Sequence, residues 1–332
     1  MAEFSRFGGV SDDWTAYIAA HPQPPPAPDL TPVQLQERTN AGREANSREI
    51  LNTITIDIET RDFTCVTSDN ETIPLRVYKP SSTPASVKLP VFIFYHGGGY
   101  CFGTLSSEDG FCSWIVEQVG IVVVNVCYRH TPQWKWPAQR EDAFNSLNWV
   151  FDNIESLGGD EKRVFVGGRS SGSNLAAGIT LRDTETGSKR IKGLILDLPH
   201  VCHTDVFPSE LIAAGKDSFA ENIDAPILPS SRIKFFNELL DVKDPGEKYY
   251  SVLLASKDEL AKFPPTHFLV AGRDALRDEA LLFEEKLRQS GIKTEINIYS
   301  GVPHGFRRFG ELQASRQYDH DLVDAFAWLL KQ

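Results

Sequence analysis

The chain reads as an α/β fold, a mostly parallel sheet with helices on both faces, and three observations carry that reading. Val91-Phe92-Ile93-Phe94-Tyr95 and Ile121-Val122-Val123-Val124-Asn125-Val126 are apolar at successive positions, the pattern of strands covered on both faces. Helix-like segments at 107–119, 138–157 and 276–290 alternate with such runs, and each stops at a glycine suited to a left-handed cap: Gly120, Gly158 and Gly291. Gly168-Arg169-Ser170-Ser171-Gly172 marks a sharp strand-to-helix turn whose small residues fit where side chains have no room.

Taken in order, residues 1–52 form an arm. Six prolines between 21 and 32 suit an extended connector. Thr31-Pro32-Val33-Gln34 resembles a capping box with proline in the first turn, so a helix starts near 32 and runs to about 51. It is polar on most of its surface and suits a lid. Strand-like stretches follow at 54–67 and 73–79, then the two apolar runs, then further runs at 164–166, 194–198, 267–271 and 295–299. The residues after Ser170, 173–179, pack as a helix. The interval 200–250 breaks the alternation and is rich in aromatics and prolines, Phe207, Phe219, Phe235 and Phe236 among them. It reads as a cap inserted between two core portions, 53–199 and 251–332, over the strand ends where open α/β sheets bind ligands.

At 332 residues, 41% hydrophobic and 24% charged, the chain can bury one large core. A net charge of -11 gives no basic footprint for nucleic acid and disfavours anionic membranes. The first residues lack an apolar run of signal-peptide length and no later run spans a bilayer, so a cytoplasmic protein is expected. The five cysteines lack paired spacing and are expected to be reduced and structural. His200-Val201-Cys202-His203-Thr204-Asp205 superficially resembles a metal cluster, but two histidines three apart supply half a site, and pocket lining or packing is the expectation; no metal is expected. Oligomeric state stays open, with a homodimer as the candidate.

The serine motif defines the chemistry. A serine hydroxyl becomes a nucleophile when a histidine takes its proton and a carboxylate orients that histidine. In a sheet of this kind the order is serine, acid, histidine, with both partners just past late strands. Asp274 follows Leu269-Val270-Ala271, and His304 follows Ile296-Asn297-Ile298-Tyr299.

Five ordered motifs carry a resemblance: HGGGY at 96, YRHTPQ at 128, GRSSGSNLA at 168, AGRDALRDEA at 271 and GVPHGF at 301. Over residues 75–330 the chain resembles the hormone-sensitive lipase family of α/β-hydrolases. The resemblance implies a serine esterase with a helical cap over an eight-stranded sheet and no cofactor. It implies Ser170 as nucleophile, His304 as base, Asp274 as its orienter, and an oxyanion hole from the main-chain N–H groups of Gly98, Gly99 and Ser171. His96 reads as a residue anchoring that loop. The expected substrate is a small-molecule carboxylic ester of short to medium acyl chain, such as an acetyl ester or lactone of a metabolite.

The chain departs from the family pattern at Arg169, Ser171 and Gln133. Arg169 has two readings: pairing with a nearby carboxylate, or holding an anionic or hydroxyl-rich substrate. Gln133 is given a structural effect. Phe102, Trp134, Trp136 and Phe207 are the further candidates for lining the substrate pocket. Two other function classes are weighed. A small-molecule receptor on the same fold would dispense with the catalytic histidine, which His304 opposes. A lyase or cyclase would use the oxyanion hole for an enolate, which Ser170 disfavours.

Overall fold

The computed structural model describes residues 1–21 and 30–332. The proline-rich connector falls mainly on 22–29, outside the described residues. Eight strands, β1 (Ile58–Val66), β2 (Thr72–Pro80), β3 (Leu89–Tyr95), β4 (Val122–Val126), β5 (Gly159–Arg169), β6 (Ile191–Asp197), β7 (Thr266–Arg273) and β8 (Thr294–Pro303), form one sheet in the order β1-β2-β4-β3-β5-β6-β7-β8. β1 to β2 and β2 to β4 are antiparallel, and every later pairing is parallel. The chain winds outward from β3 in one direction through β4 and in the other through β5. The loops leaving β3 and β5 therefore part above the sheet, opening a crevice at the carboxyl ends of the strands.

The helices are α1 (Asp12–Ala20), α2 (Pro32–Leu51), α3 (Leu105–Val119), α4 (Ala138–Asn153), α5 (Ser171–Glu185), α6 (Ser218–Glu221), α7 (Ser230–Leu240), α8 (Lys257–Leu260), α9 (Arg277–Gln289) and α10 (Gln313–Leu329). Alternation along β3 separates two cores. Val91, Ile93 and Tyr95 join Leu147 of α4, Leu175 of α5 and Phe283 of α9, whereas Phe92 and Phe94 join Ile115 of α3 and Phe326 of α10.

Local chemistry sets the helix ends. α2 has the reciprocal capping box, Thr31 with Gln34, and α3 has a second one, Thr104 with Ser107, before closing on Gly120 at φ 72°. α4 stops at Asn153, short of the 157 read from the sequence, because the chain turns before Gly158 reverses it at φ 77°.

The first twenty residues lie against the core. Ala2 pairs with Leu211 and Ala213, and Ser11 donates to the Gly301 carbonyl. A Cβ on Gly272 would stand 2.0 Å from the Phe7 carbonyl oxygen, so glycine lets the arm cross the end of β7 in contact. The 200–250 interval holds α6, α7 and short 3₁₀ turns. Among the described residues, no helix is long and apolar enough to cross a membrane.

Candidate active site

Ser170 sits where β5 turns into α5, at φ 54° and ψ -118°. This region is rarely populated by a residue with a Cβ and persists where surrounding contacts over-determine it. They do so here. The Ser170 N–H donates to the Asp197 carbonyl at 2.8 Å. Ser173 Oγ donates to the Gly168 carbonyl at 2.5 Å. A Cβ on Gly172 would lie 1.9 Å from the Tyr95 carbonyl oxygen, so the turn fits against β3 only with glycine there.

His304 Nε2 stands 3.0 Å from Ser170 Oγ, and His304 Nδ1 stands 2.6 Å from Asp274 Oδ2. Asp274 is buried, and its other oxygen accepts from the Leu276 N–H at 3.0 Å. With Asp274 ionised, Nδ1 carries the proton and Nε2 is left to accept from the serine. The three residues picked from separate motifs thus form one hydrogen-bonded line.

The glycine turn after β3 lies beside the elbow: a Cβ on Gly97 would stand 2.8 Å from the Arg169 carbonyl oxygen. Gly98 has φ 137° and Gly99 φ 60°, and a Cβ on Gly98 would come within 2.3 Å of the Phe102 carbonyl oxygen. Among the described residues, no protein acceptor meets the N–H groups of Gly98, Gly99 or Ser171. His96 anchors the turn from below. It is fully buried, its ring stacks on Tyr128 at 4.4 Å, and its Nδ1 lies 3.1 Å from the Gly97 carbonyl. Its Nε2 meets His130 Nε2 at 3.3 Å. Burial, reinforced by Arg43, lowers the His96 pKa to about 3, and burial likewise holds His130 well below its ordinary value. The pair is neutral, with His130 donating to His96.

α2 clasps the loop beyond the turn. Gln36 donates to the Cys101 and Thr131 carbonyls at 2.6 and 2.9 Å, Asn40 accepts from the Gly103 N–H at 2.8 Å, and Glu44 accepts from Thr104 Oγ1 at 2.7 Å. The amide of Gln133 lies 2.9 Å from that of Gln36, a structural contact.

Two pocket assignments need correction. Arg169 does not reach toward the serine. Its Nε donates to Asp197 Oδ2 at 2.5 Å, its Nη2 donates to Tyr318 Oη at 3.1 Å, and its guanidinium covers the Phe111 ring at 4.6 Å. Burial alone would lower its pKa, but Asp197 and Tyr318 keep it above the usual arginine value. Trp134 is 38% exposed and carries the Arg129 guanidinium on its ring at 4.6 Å, so it belongs to the outer surface of the 131–137 turn.

The other aromatics are placed in sequence around the turn. Phe102 meets Phe236 of α7 edge-on at 5.6 Å, and the Phe236 ring lies 2.4 Å from where a Gly99 Cβ would be. Trp136 packs edge-on against Tyr100 and Tyr250, and Phe207 stands farther out, 6.2 Å from Phe219.

Sequence reasoning missed Phe236 as a site residue. It also missed a buried line beside the serine: His200 Nδ1 lies 2.9 Å from Glu279 Oε1 and His200 Nε2 lies 3.0 Å from Tyr250 Oη. Burial raises the Glu279 pKa against the opposing pull of His200. The histidine run at 200–205 is thus used in hydrogen bonding, with His203 Nδ1 accepting from the Asp205 N–H at 3.2 Å. A glutamate five residues past Asp274 was the available signal; its partner lies 79 positions away.

Comparison with known proteins agrees with this architecture. The profile of a family described as alpha/beta hydrolase fold matches residues 92–308, and that of the carboxylesterase family matches 10–133. An AB hydrolase superfamily protein of Schizosaccharomyces pombe is 33% identical over 82% of this chain and 80% of its own length. The versiconal hemiacetal acetate esterase of Dothistroma septosporum is 30% identical over 80% of each chain. Among solved structures, vibralactone cyclase superposes with a TM-score of 0.90 at 25% identity, covering 100% of this chain and 97% of that one. With its site at the strand ends and most of its length matched, the chain belongs to the α/β-hydrolase family, in its hormone-sensitive-lipase-like carboxylesterase group.

Proposed function

We propose that the chain hydrolyses a small-molecule carboxylic ester of short to medium acyl chain through an acyl-enzyme on Ser170. The observation that carries this reading is the line Asp274, His304, Ser170, at 2.6 and 3.0 Å, beside a glycine turn whose main-chain N–H groups meet no protein acceptor among the described residues. Ser170 Oγ attacks the ester carbonyl while its proton passes to His304 Nε2, and Asp274 stabilises the imidazolium. The carbonyl oxygen becomes an anion held by the N–H groups of Gly98, Gly99 and Ser171, each worth about 3 kcal/mol in the transition state. Collapse breaks the bond to the alcohol oxygen, which takes the proton from His304. Water then gives a proton to His304, attacks the acyl carbon, and releases the acid with Ser170 restored. The protons and electron pairs balance over the chain's own groups and water.

The 200–250 segment and the arm act as the cap in this reading, with Phe102 and Phe236 bordering the acyl group and Trp136 and Phe207 behind them. The acetate esterase relative supports an acetyl ester as substrate. Five free cysteines suit a cytoplasmic location, and the charge of -11 suits the absence of a nucleic-acid partner.

The test is turnover of p-nitrophenyl esters from acetyl to dodecanoyl by the wild type and by Ser170→Ala. Activity that peaks at short chains and disappears in the variant is expected; turnover that survives in the variant sinks the acyl-enzyme. The full-length superposition on vibralactone cyclase favours one second reading, intramolecular ring closure on the same site. An enolate route of that kind would persist in Ser170→Ala.

A further inference from the structure

Three arginines approach the mouth of the site from three different elements of a chain whose net charge is -11. Arg43 of α2 pairs through Nη2 with Glu108 at 2.6 Å, while its Nη1 lies 2.9 Å from where a Cβ on Gly98 would be. Arg232 of α7 is exposed and stands one turn before Phe236, the ring that covers Gly99. Arg308 closes the 3₁₀ turn Phe306–Arg308, four residues after His304, and its Nη2 lies 3.5 Å from a Cβ placed on Gly305.

Their neighbours show what is unusual. Arg307 pairs with Asp319 at 2.6 Å, Arg169 with Asp197 at 2.5 Å and Arg277 with Glu221 at 2.7 Å. Among the described residues, the Arg308 and Arg232 side chains meet no carboxylate and no other acceptor. Arg308 rests only on the Phe309 ring, 5.3 Å from its centroid. Arg308 is exposed, yet loss of part of its water to neighbouring protein, and then repulsion from Arg43, Arg232 and Arg169, lowers its pKa. Arg308 and Arg232 thus add like charge beside the paired Arg43 with no carboxylate of their own, which is unfavourable and which a bound anion relieves.

We propose that Arg308 and Arg232, with the free edge of Arg43, form an anion-holding subsite, and that the ester cleaved at Ser170 carries a carboxylate remote from its scissile group. The inference rests on the esterase reading above and names its substrate class. A guanidinium fork matches a carboxylate with two parallel N–H donors, and two unpaired cations supply more charge than one carboxylate needs. The anion reading attached to Arg169 thus moves to residues on the cap, the arm and the loop after the base.

The test compares mono-p-nitrophenyl adipate with p-nitrophenyl hexanoate, which share the acyl length and differ in a terminal carboxylate or methyl. The quantity read is the ratio of their kcat/KM values in the wild type, Arg308→Gln, Arg308→Lys and Arg232→Gln. The wild type is expected to prefer the adipate ester. That ratio should fall about tenfold in Arg308→Gln, mainly through KM, recover in part in Arg308→Lys, and shrink with rising ionic strength in the wild type. A wild-type ratio at or below one, or a ratio that Arg308→Gln leaves in place, overturns the subsite. If the wild type turns over neither ester, the esterase reading fails instead, and calorimetric titration with adipate decides the subsite: binding that Arg308→Gln abolishes upholds it, and no binding overturns it.

Discussion

Ser170 holds its hydroxyl in the crevice only because every residue around it accepts the strained turn, and substitutions there separate chemistry from support. Asp274→Asn leaves the shape but inverts the preferred histidine tautomer, so kcat is expected to fall about 10³- to 10⁴-fold with KM little changed, read from steady-state kinetics on p-nitrophenyl acetate. Gly172→Ala drives a Cβ into the Tyr95 carbonyl at 1.9 Å; a loss of about 3 kcal/mol or more in urea unfolding is expected, and a loss below about 1 kcal/mol contradicts the close approach. Arg169→Ala leaves the Asp197 carboxylate, which is 4% exposed and already has one oxygen without a partner, with only the Tyr318 hydroxyl at 2.6 Å and no counter-charge. It should cost about 3 to 5 kcal/mol and lower turnover of neutral and acidic esters by the same factor. A selective loss on acidic esters would return Arg169 to the substrate.

At the scale of elements, α2 is the piece to which the structure adds most. Its polar surface suits a lid helix. In the fold, one face, with Gln36, Asn40, Arg43, Glu44 and Ser47, turns toward the loop that follows the glycine turn, and Ser47 Oγ accepts the Gly110 N–H at 2.8 Å. These positions recur every three or four residues, as one helix face requires. A polar stripe can therefore be an interface when main-chain groups and polar side chains across it supply the partners. Asn40→Ala leaves the Gly103 N–H without its acceptor, so about 1 to 2 kcal/mol of stability should be lost along with kcat, because Gly103 abuts the His96 ring beneath the glycine turn. An unchanged kcat in a variant that melts lower would confine α2 to stability.

For the whole molecule, buried neutral histidines set the response to acid. Burial lowers His96 to about 3 and His267 to about 4, against an unfolded value near 6.5. Below pH 6.5 the unfolded chain takes up protons that the folded chain refuses, so stability falls as pH drops from about 6.5 toward 4 and is recovered on raising it. Each such histidine contributes a slope on the order of 1 kcal/mol per pH unit. His267 Nδ1 is buried without a partner, so His267→Phe should flatten the pH dependence of the urea midpoint between neutral and about pH 4. Parallel curves for the two proteins would remove His267 from the acid response.

Much of this molecule is legible in residue order because its signals are local. Doubly apolar runs, the capping box at Thr31, glycines at turns and the spacing of Ser170, Asp274 and His304 are read within a few residues, and short-range sterics and hydrogen bonding enforce them. α1 and α10 were not read: their ends carry no glycine stop, and α10 starts at Gln313 after Leu312, which offers no side-chain cap. The partners of charged and aromatic side chains were beyond reach altogether. Arg169 finds Asp197 and Tyr318, 28 and 149 positions away, and His200 finds Glu279 across 79. Strand order sets such meetings, and nothing in the neighbouring sequence records them. Hence the line Ser170, His304, Asp274 follows from motifs, whereas the proposed charge at its mouth follows from where α2, α7 and the loop after His304 lie, a long-range packing outcome that local patterning does not encode.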